Sequence, residues 1–426
     1  MSNDGKNKMS NPSPLELAED ILQQTKHIVK YLEEHHLGQP TFSADSPLVP
    51  DTSEYQALHN SIKTSLEDLQ RLVDGPNKFL RTFCCTGYDL GALQIALDFG
   101  FFTHVPATGA IRYEDLARLA GLDVDRVSRV ARQLLTYRIF AEDTSGHLSH
   151  NSTSIALRND EEMRSVVHYS LDEMFKAASE CSVSLKNAPF EANSTRCPFH
   201  TRHGVPIFEY YAQHPEKARR FAKAMAGLTR MDHHIDELRD HFDWGPIKGS
   251  VVDVGGGSGH ISMSLARIFP HLKFVVQDHA SMLAEGESLL TEDVRDRIEF
   301  MQHSFFEAQP PVSDAAVFLL RQCTHNWADA DVVTMFKGLV PGLEGCPPGT
   351  PLLINDIVMP MPGLWPRHRE RIARQVDMVM LVSYGAKQRT AAEFEALLRE
   401  ADPRYKIQKI YDGLPLGLIE VHLQKS

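Results

Sequence analysis

The chain has 426 residues, 42% of them hydrophobic and 23% charged, an ordinary globular composition long enough for two or three domains around a large core. Its formal net charge is −12 and its pI about 5.9, so the molecule as a whole repels phosphate backbones, and no local basic patch offsets this; nucleic acid is not an expected partner. Cys84, Cys85, Cys181, Cys197, Cys323 and Cys346 form no CxxC pair and no zinc-ligand spacing. The opening MSNDGKNKMSNPSP lacks the basic start and apolar stretch of a secretory signal, and no apolar run approaches membrane-spanning length. The expectation is a cytoplasmic protein with reduced thiols, no metal site and no membrane partner.

Residues 1–13 read as a disordered tail. Leu15 to Leu37 carries apolar residues at helical spacing and reads as an amphipathic helix, residues 38–53 as a linker, and about Tyr55 to Val73 as a second helix. Neither helix is stable alone, so each apolar face needs a partner, either a second copy or the rest of the same chain. Leu90–Phe99 is helical. Tyr113–Ala120 and Val124–Leu135 form a helix–turn–helix with Gly121 at the turn, followed by Ile139–Glu142, a turn at Ser145–Gly146, and Leu148–His150. This is a winged-helix pattern. The stretch VDRVSRVARQLLTYR carries Arg126, Arg129, Arg132 and Arg138 but sits in an acidic protein, which favours a structural or dimerising role over DNA binding.

Residues 159–245 read as helical and connecting, with a helix following the aromatic residues of the segment Ile207–Met225. From residue 250 strands and helices alternate: VVDV, helix 260–269, KFVVQD, helix 280–288, IEFMQH, AAVFLL, helix 330–343, PLLINDIV, helices 367–381 and 390–401, then KIQKIYD and LGLIEVHL. Such alternation predicts an α/β fold with a doubly wound, mostly parallel sheet, closed at one edge by an antiparallel hairpin. The domains expected are N-terminal helices (1–85), a winged-helix domain (86–158), a helical connector (159–245) and a nucleotide-binding domain (246–426).

VVDVGGGSGH is a buried strand followed by a glycine turn that opens a helix. Gly255, Gly257 and Gly259 permit positive φ and close backbone approach, and the helix N-terminus then receives a polar or anionic group. Asp278 ends the next strand, where a carboxylate grips a ribose diol. A dinucleotide site wants its third glycine one place later, where His260 stands, and no Walker lysine follows the turn. Asp253, on the strand before the turn, can meet a cationic amino group. An amino-acid-bearing nucleoside fits this half-site better than a pyrophosphate.

VVDVGGGSGHISMSLARIFPHLKFVVQD, LLRQCTHNWADADVV, LLINDIVMP and VMLVSYGAKQRTAAEFEALL, in this order, resemble the plant-type and fungal small-molecule O-methyltransferases, the caffeate O-methyltransferase-like family. The resemblance covers residues from about 86 to 426. It implies a class I, Rossmann-like methyltransferase fold with a seven-stranded sheet, S-adenosylmethionine as cofactor, a hydroxylated aromatic or enolic secondary metabolite as substrate, and a homodimer whose winged-helix region helps close the partner's pocket. It makes His325, in HNW, the base that takes the substrate hydroxyl proton, and Asp356 the carboxylate that orients it. Read as bare residues, the histidine is equally a helix cap and the aspartate a turn residue. Arg321 matches a basic residue beside the cofactor, Trp327 and Phe305 walls of the cofactor site, and Met225 and Met378 positions lining the methyl-transfer pocket, although a methionine at helical spacing also reads as core.

Three matched positions depart from the family pattern. Ser304 stands where an acidic residue commonly contacts adenine, Gln322 where Asp or Asn is frequent, and Gln388 where a second catalytic Glu is usual. An amide cannot support a developing imidazolium as a carboxylate can. These departures keep open a second reading from the same resemblance: fungal relatives that keep the cofactor but catalyse dehydration and pericyclic cyclisation, with no methyl transfer. His150, at the end of the wing, together with Arg321 and His325 would then act as hydrogen-bond donors to a substrate carbonyl. Otherwise His150 is a surface wing residue.

Overall fold

The computed structural model describes residues 12–232, 235–411 and 416–425. Residues 1–11 of the expected tail lie outside that range. The chain divides into two compact units, residues 1–172 with 362–372, and residues 173–361 with 373–426.

In the first unit, Ser13 caps the helix Pro14–Glu34 through a reciprocal capping box with Glu16. This helix buries Leu17, Tyr31 and Leu32, and the last two pack against Tyr55 of the helical segment Ser53–Asp98. The sequence suggested two separate helices over 55–73 and 90–99, with residues 74–89 unassigned. Instead, helix runs throughout, bent at Gly75, whose φ is 65°. Gly75–Pro76 reads as a breaker, yet the glycine adopts the left-handed turn and the proline starts the next helix, where its missing N–H costs nothing. Segment 362–372 joins this unit through Glu67, which pairs with His368 at 3.0 Å and Arg371 at 2.6 Å.

The wing is a three-stranded antiparallel sheet of β1 (Ala110–Arg112), β2 (Ala141–Glu142) and β3 (His147–Ser149), with β3 in the middle. Helices Tyr113–Ala120 and Val124–Leu135 precede β2, and Gly121 turns between them at φ 67°. Strand β1 was not foreseen because three residues are too short for a visible period. Phe101, Phe102, Leu116, Val127 and Leu148 form the core. The arginines of the second helix lie beside acids: Arg126 with Asp123, Arg129 with Asp125, and Arg132 with Glu142.

The second unit is built on seven strands among the described residues: β4 (Ser250–Val254), β5 (Lys273–Asp278), β6 (Ile298–Gln302), β7 (Ala315–Arg321), β8 (Pro351–Asp356), β9 (Tyr405–Tyr411) and β10 (Gly417–Leu423). Their order is β6-β5-β4-β7-β8-β10-β9. Strands β4 to β8 pair parallel; β10 inserts antiparallel between β8 and β9, forming the expected edge hairpin. Alternate residues of the buried strands face opposite layers. Val252, Phe318, Leu320 and Ile354 share one core with Val332, Phe336 and Phe394 of helices Asp329–Gly345 and Ala391–Ala401. Val251, Val276, Val317 and Leu319 share another with Ile261, Leu265 and Leu283 of helices His260–Ile268 and Ala280–Leu289, and with Trp244. The chain winds from β4 outward through β5 and β6, then returns to β7 on the other side. The carboxyl ends of β4 and β7 therefore flank the switch point, the crevice where doubly wound sheets bind ligands.

Candidate active site

The glycine turn leaves β4 at the switch point. Gly255, Gly257 and Gly259 all have positive φ, at 70°, 59° and 77°. A Cβ on Gly255 would lie 2.8 Å from Cys323 Sγ and 3.2 Å from the Phe305 ring, so the backbone there passes closer to the β7 loop than any side chain allows. Asp278, ending β5, holds the turn from the opposite side: Gly257 N–H donates to its Oδ2 at 2.9 Å and His279 N–H to its Oδ1 at 2.7 Å. Each carboxylate oxygen keeps a lone pair for a further donor.

Asp253 is 2% exposed on β4, and Ser262 donates to its Oδ2 at 2.5 Å. Burial pushes its carboxyl up to about 6, against the opposing pull of the Ser262 hydroxyl and the nearby Arg321 charge. Arg321, at the end of β7, is also buried. Burial lowers its pKa, countered by the charges of Glu237, Asp253 and Asp356. Its Nη1 donates to Asn355 Oδ1 on β8, while its Nη2 is buried without a protein partner. Asn355 in turn donates to Gly417 O on β10 at 2.8 Å.

His325 lies in a short helical turn, Thr324–Asn326, after β7. Its Nδ1 is 2.6 Å from Asp356 Oδ1 at the end of β8, with side-chain exposures of 13% and 1%. Thr324 Oγ1 donates to the other oxygen, Oδ2, at 2.6 Å, and Ile357 N–H to Oδ1 at 3.1 Å. Burial pushes the Asp356 carboxyl up, but the charge and hydrogen bond of His325, with the Thr324 and Ile357 donors, outweigh it and hold it below the usual carboxylate range. An imidazole whose Nδ1–H faces a carboxylate carries its lone pair on Nε2.

Arg389, 1% exposed, fixes the backbone around the histidine. Its guanidinium donates to Thr324 O at 2.7 Å, to Trp327 O at 2.8 Å, and twice to Asp329 Oδ1 at 2.9 and 2.8 Å. Trp327 stands edge-on to Phe306, with centroids 4.7 Å apart, and to Phe305 at 6.0 Å, completing an aromatic wall beside the glycine turn. Gln322 begins this loop in the left-handed region at φ 49°, its N–H bonded to Asn355 O at 2.9 Å. A non-glycine residue held there is strained by roughly 1–3 kcal/mol, and such strain clusters at functional loops.

The second unit thus brings together Asp253, Gly255, Gly257, Asp278, Phe305, Arg321, His325 and Asp356 of the sequence-derived site at the carboxyl ends of β4, β5, β6, β7 and β8. Ser304 caps its own turn, accepting from Phe306 N–H at 3.4 Å. Met225 is half-buried on helix Pro215–Asp232, and Met378 is 48% exposed on helix Arg367–Tyr384. His150 belongs to the first unit. Its Nδ1 lies 2.9 Å from Ser154 Oγ and its Nε2 3.2 Å from Val105 O, so both nitrogens have partners within the wing. Sequence reasoning missed Thr324, Asn355, Arg389, Ser262 and Phe306.

The fit to a nucleoside bearing an amino acid is physical. The turn offers close approach at Gly255, an anchored carboxylate in Asp278 for a diol, a buried carboxylate in Asp253 for an ammonium, and an aromatic wall for a base. Among known proteins, a family model described as an O-methyltransferase domain matches residues 184–403. The chain is 54% identical over 408 residues to O-methyltransferase sol2 of Alternaria solani, covering 96% of this chain and 94% of that protein. It is 32% identical to O-methyltransferase aurJ of Gibberella zeae, covering 98% and 99%. Its fold matches that of LepI in complex with SAM at a TM-score of 0.73 and 18% identity, over 96% of this chain and all of that one. The chain therefore belongs to the O-methyltransferase family, and S-adenosylmethionine is its cofactor.

Proposed function

We propose that this enzyme methylates a hydroxyl of an aromatic or enolic secondary metabolite, with His325 Nε2 as the general base. The observation that carries the reading is the 2.6 Å contact between His325 Nδ1 and the buried Asp356 carboxylate. It fixes the ring and its tautomer, leaving the Nε2 lone pair to accept the hydroxyl proton. Bound S-adenosylmethionine supplies the electrophilic methyl group. Asp278 is suited to hold its ribose, Asp253 its ammonium, and Phe305 and Trp327 its adenine side. The chain's own task is then alignment of the nucleophilic oxygen and exclusion of water, which is where the rate of a direct displacement is set. The winged-helix unit, with exposed Leu72, Val73, Leu80, Phe83 and Tyr88 on its long helix, suits a homodimer interface.

Incubation with methyl-labelled cofactor and a panel of phenols and enolised dicarbonyls tests the reading: a labelled methyl ether supports it, and an isomerised product without label contradicts it. The cyclisation alternative draws on the departures at Ser304, Gln322 and Gln388, the last an amide where the family pattern has a second carboxylate.

A further inference from the structure

Gln388 is 4% exposed, and neither its Oε1 nor its Nε2 has a hydrogen-bond partner in the protein. Leaving a buried amide unpaired costs about 1–3 kcal/mol per group, so native chains complete such bonds with ordered water or a ligand. The residue is not loosely placed. Its backbone N–H donates to Asp377 Oδ1 at 2.7 Å. Both chain neighbours hold the histidine loop: Lys387 Nζ reaches Asp329 Oδ2 at 3.1 Å, and Arg389 grips Thr324 O, Trp327 O and Asp329. Met359 N–H, just past Asp356, donates to Arg389 O at 2.9 Å. Gln388 is thereby locked to the two segments that carry His325 and Asp356.

We propose that Gln388 is a specificity-determining residue that recognises a hydroxy-carbonyl substrate: Nε2–H donates to a carbonyl oxygen, and Oε1 accepts from a hydroxyl on the same molecule. A carboxylate in this place could only accept, and it would add a buried negative charge to the segment tied to the His325 loop. The amide alone offers a donor and an acceptor together at neutral charge. A simple phenol satisfies half of it, whereas an ortho-hydroxyaryl ketone or an enolised β-dicarbonyl satisfies both. Sites built to hydrogen-bond a polar group reject analogues that lack it, because the buried partner is left unpaired. The inference rests on the reading that this pocket takes a hydroxylated small molecule, but it does not require methyl transfer.

The test therefore uses binding. Calorimetry on the full-length protein loaded with S-adenosylhomocysteine compares 2,6-dihydroxyacetophenone with 2-ethylresorcinol, a near-isostere without the carbonyl. The wild type should bind the ketone about tenfold more tightly, and that preference should vanish in Gln388→Met and Gln388→Glu. Unchanged S-adenosylhomocysteine affinity in both variants shows that the fold is intact. A preference that survives in Gln388→Met, or a wild type that does not discriminate, overturns the proposal. Methyl transfer is followed separately with labelled cofactor, so failure of that chemistry is read apart from failure of the binding preference.

Discussion

Thr324 Oγ1 donates to Asp356 Oδ2 at 2.6 Å, on the carboxylate oxygen that His325 does not use. The threonine fixes the plane of the carboxylate, and the carboxylate fixes the imidazole. Partners at this remove from the chemistry typically change activity by about 10–100-fold. Thr324→Val is expected to lower kcat/KM for methyl transfer at least tenfold, with Thr324→Ser retaining most of the rate and cofactor affinity unchanged in both. Steady-state kinetics with calorimetry on the same variants checks this; a parallel loss of cofactor binding would place the effect on the fold instead.

Asp253 gives a pH dependence of definite sign. Its folded-state pKa is raised to about 6, chiefly by burial, above its unfolded value. The free protein therefore gains stability as pH falls from about 6 towards 4, where the native carboxyl is protonated and the unfolded one is still ionised. Asp253→Asn should be more stable than the wild type above pH 7, and the advantage should shrink as pH falls through about 6 and be lost near pH 4. A cationic cofactor group meeting Asp253 requires the carboxylate, so cofactor affinity should fall as pH drops through about 6. Denaturant titrations and calorimetry across about pH 4–8 measure both (roughly the span between the unfolded and folded titrations of this carboxyl); an affinity flat across that span contradicts the assignment.

Arg389 ties three separate points of the histidine loop. Arg389→Met keeps much of the volume but leaves the Thr324 and Trp327 carbonyls without this donor. The expected loss is about 2–4 kcal/mol of stability, read as a lower denaturant midpoint at unchanged m-value. Arg389→Lys should recover only part of it, since one ammonium cannot replicate a planar fork.

The glycine turn separates two costs. Gly255→Ala adds left-handed strain of about 1–2 kcal/mol and a Cβ 2.8 Å from Cys323 Sγ. Gly257→Ala carries the same kind of strain, but its nearest neighbour, Met282 Cε, lies 3.7 Å away. Thermal unfolding of the free protein should therefore show Gly255→Ala as the more damaged variant, with cofactor affinity at least tenfold below the wild type. Equal stabilities for the two would contradict the close approach seen at Gly255.

The sheet was legible because each strand is a short buried run between helices of clear period, and the turn because glycines follow a strand and an aspartate closes the next one. The segment Ser53–Asp98 was read only in part, with residues 74–89 unassigned, because Gly75 and Pro76 interrupt the helical pattern but only bend its path. His325 and Asp356 were legible through the order of motifs, since nothing local marks either one. Thr324, Asn355 and Arg389 were hidden because their partners stand 32, 62 and 65 residues away and such pairings leave no periodic trace. His150 suggested a pocket ligand for the converse reason. Its ring is met by the Val105 carbonyl, 45 residues upstream, where sequence offers no cue.

The central claim is that His325 removes the substrate proton. Single-turnover transfer of labelled methyl from bound S-adenosylmethionine, comparing the wild type with His325→Ala and His325→Gln, tests it most directly. The account predicts a rate lower by about 10²–10⁴-fold in both variants, with cofactor affinity unchanged. Undiminished transfer in His325→Ala, or a rearranged product that carries no label from the wild type, would contradict it.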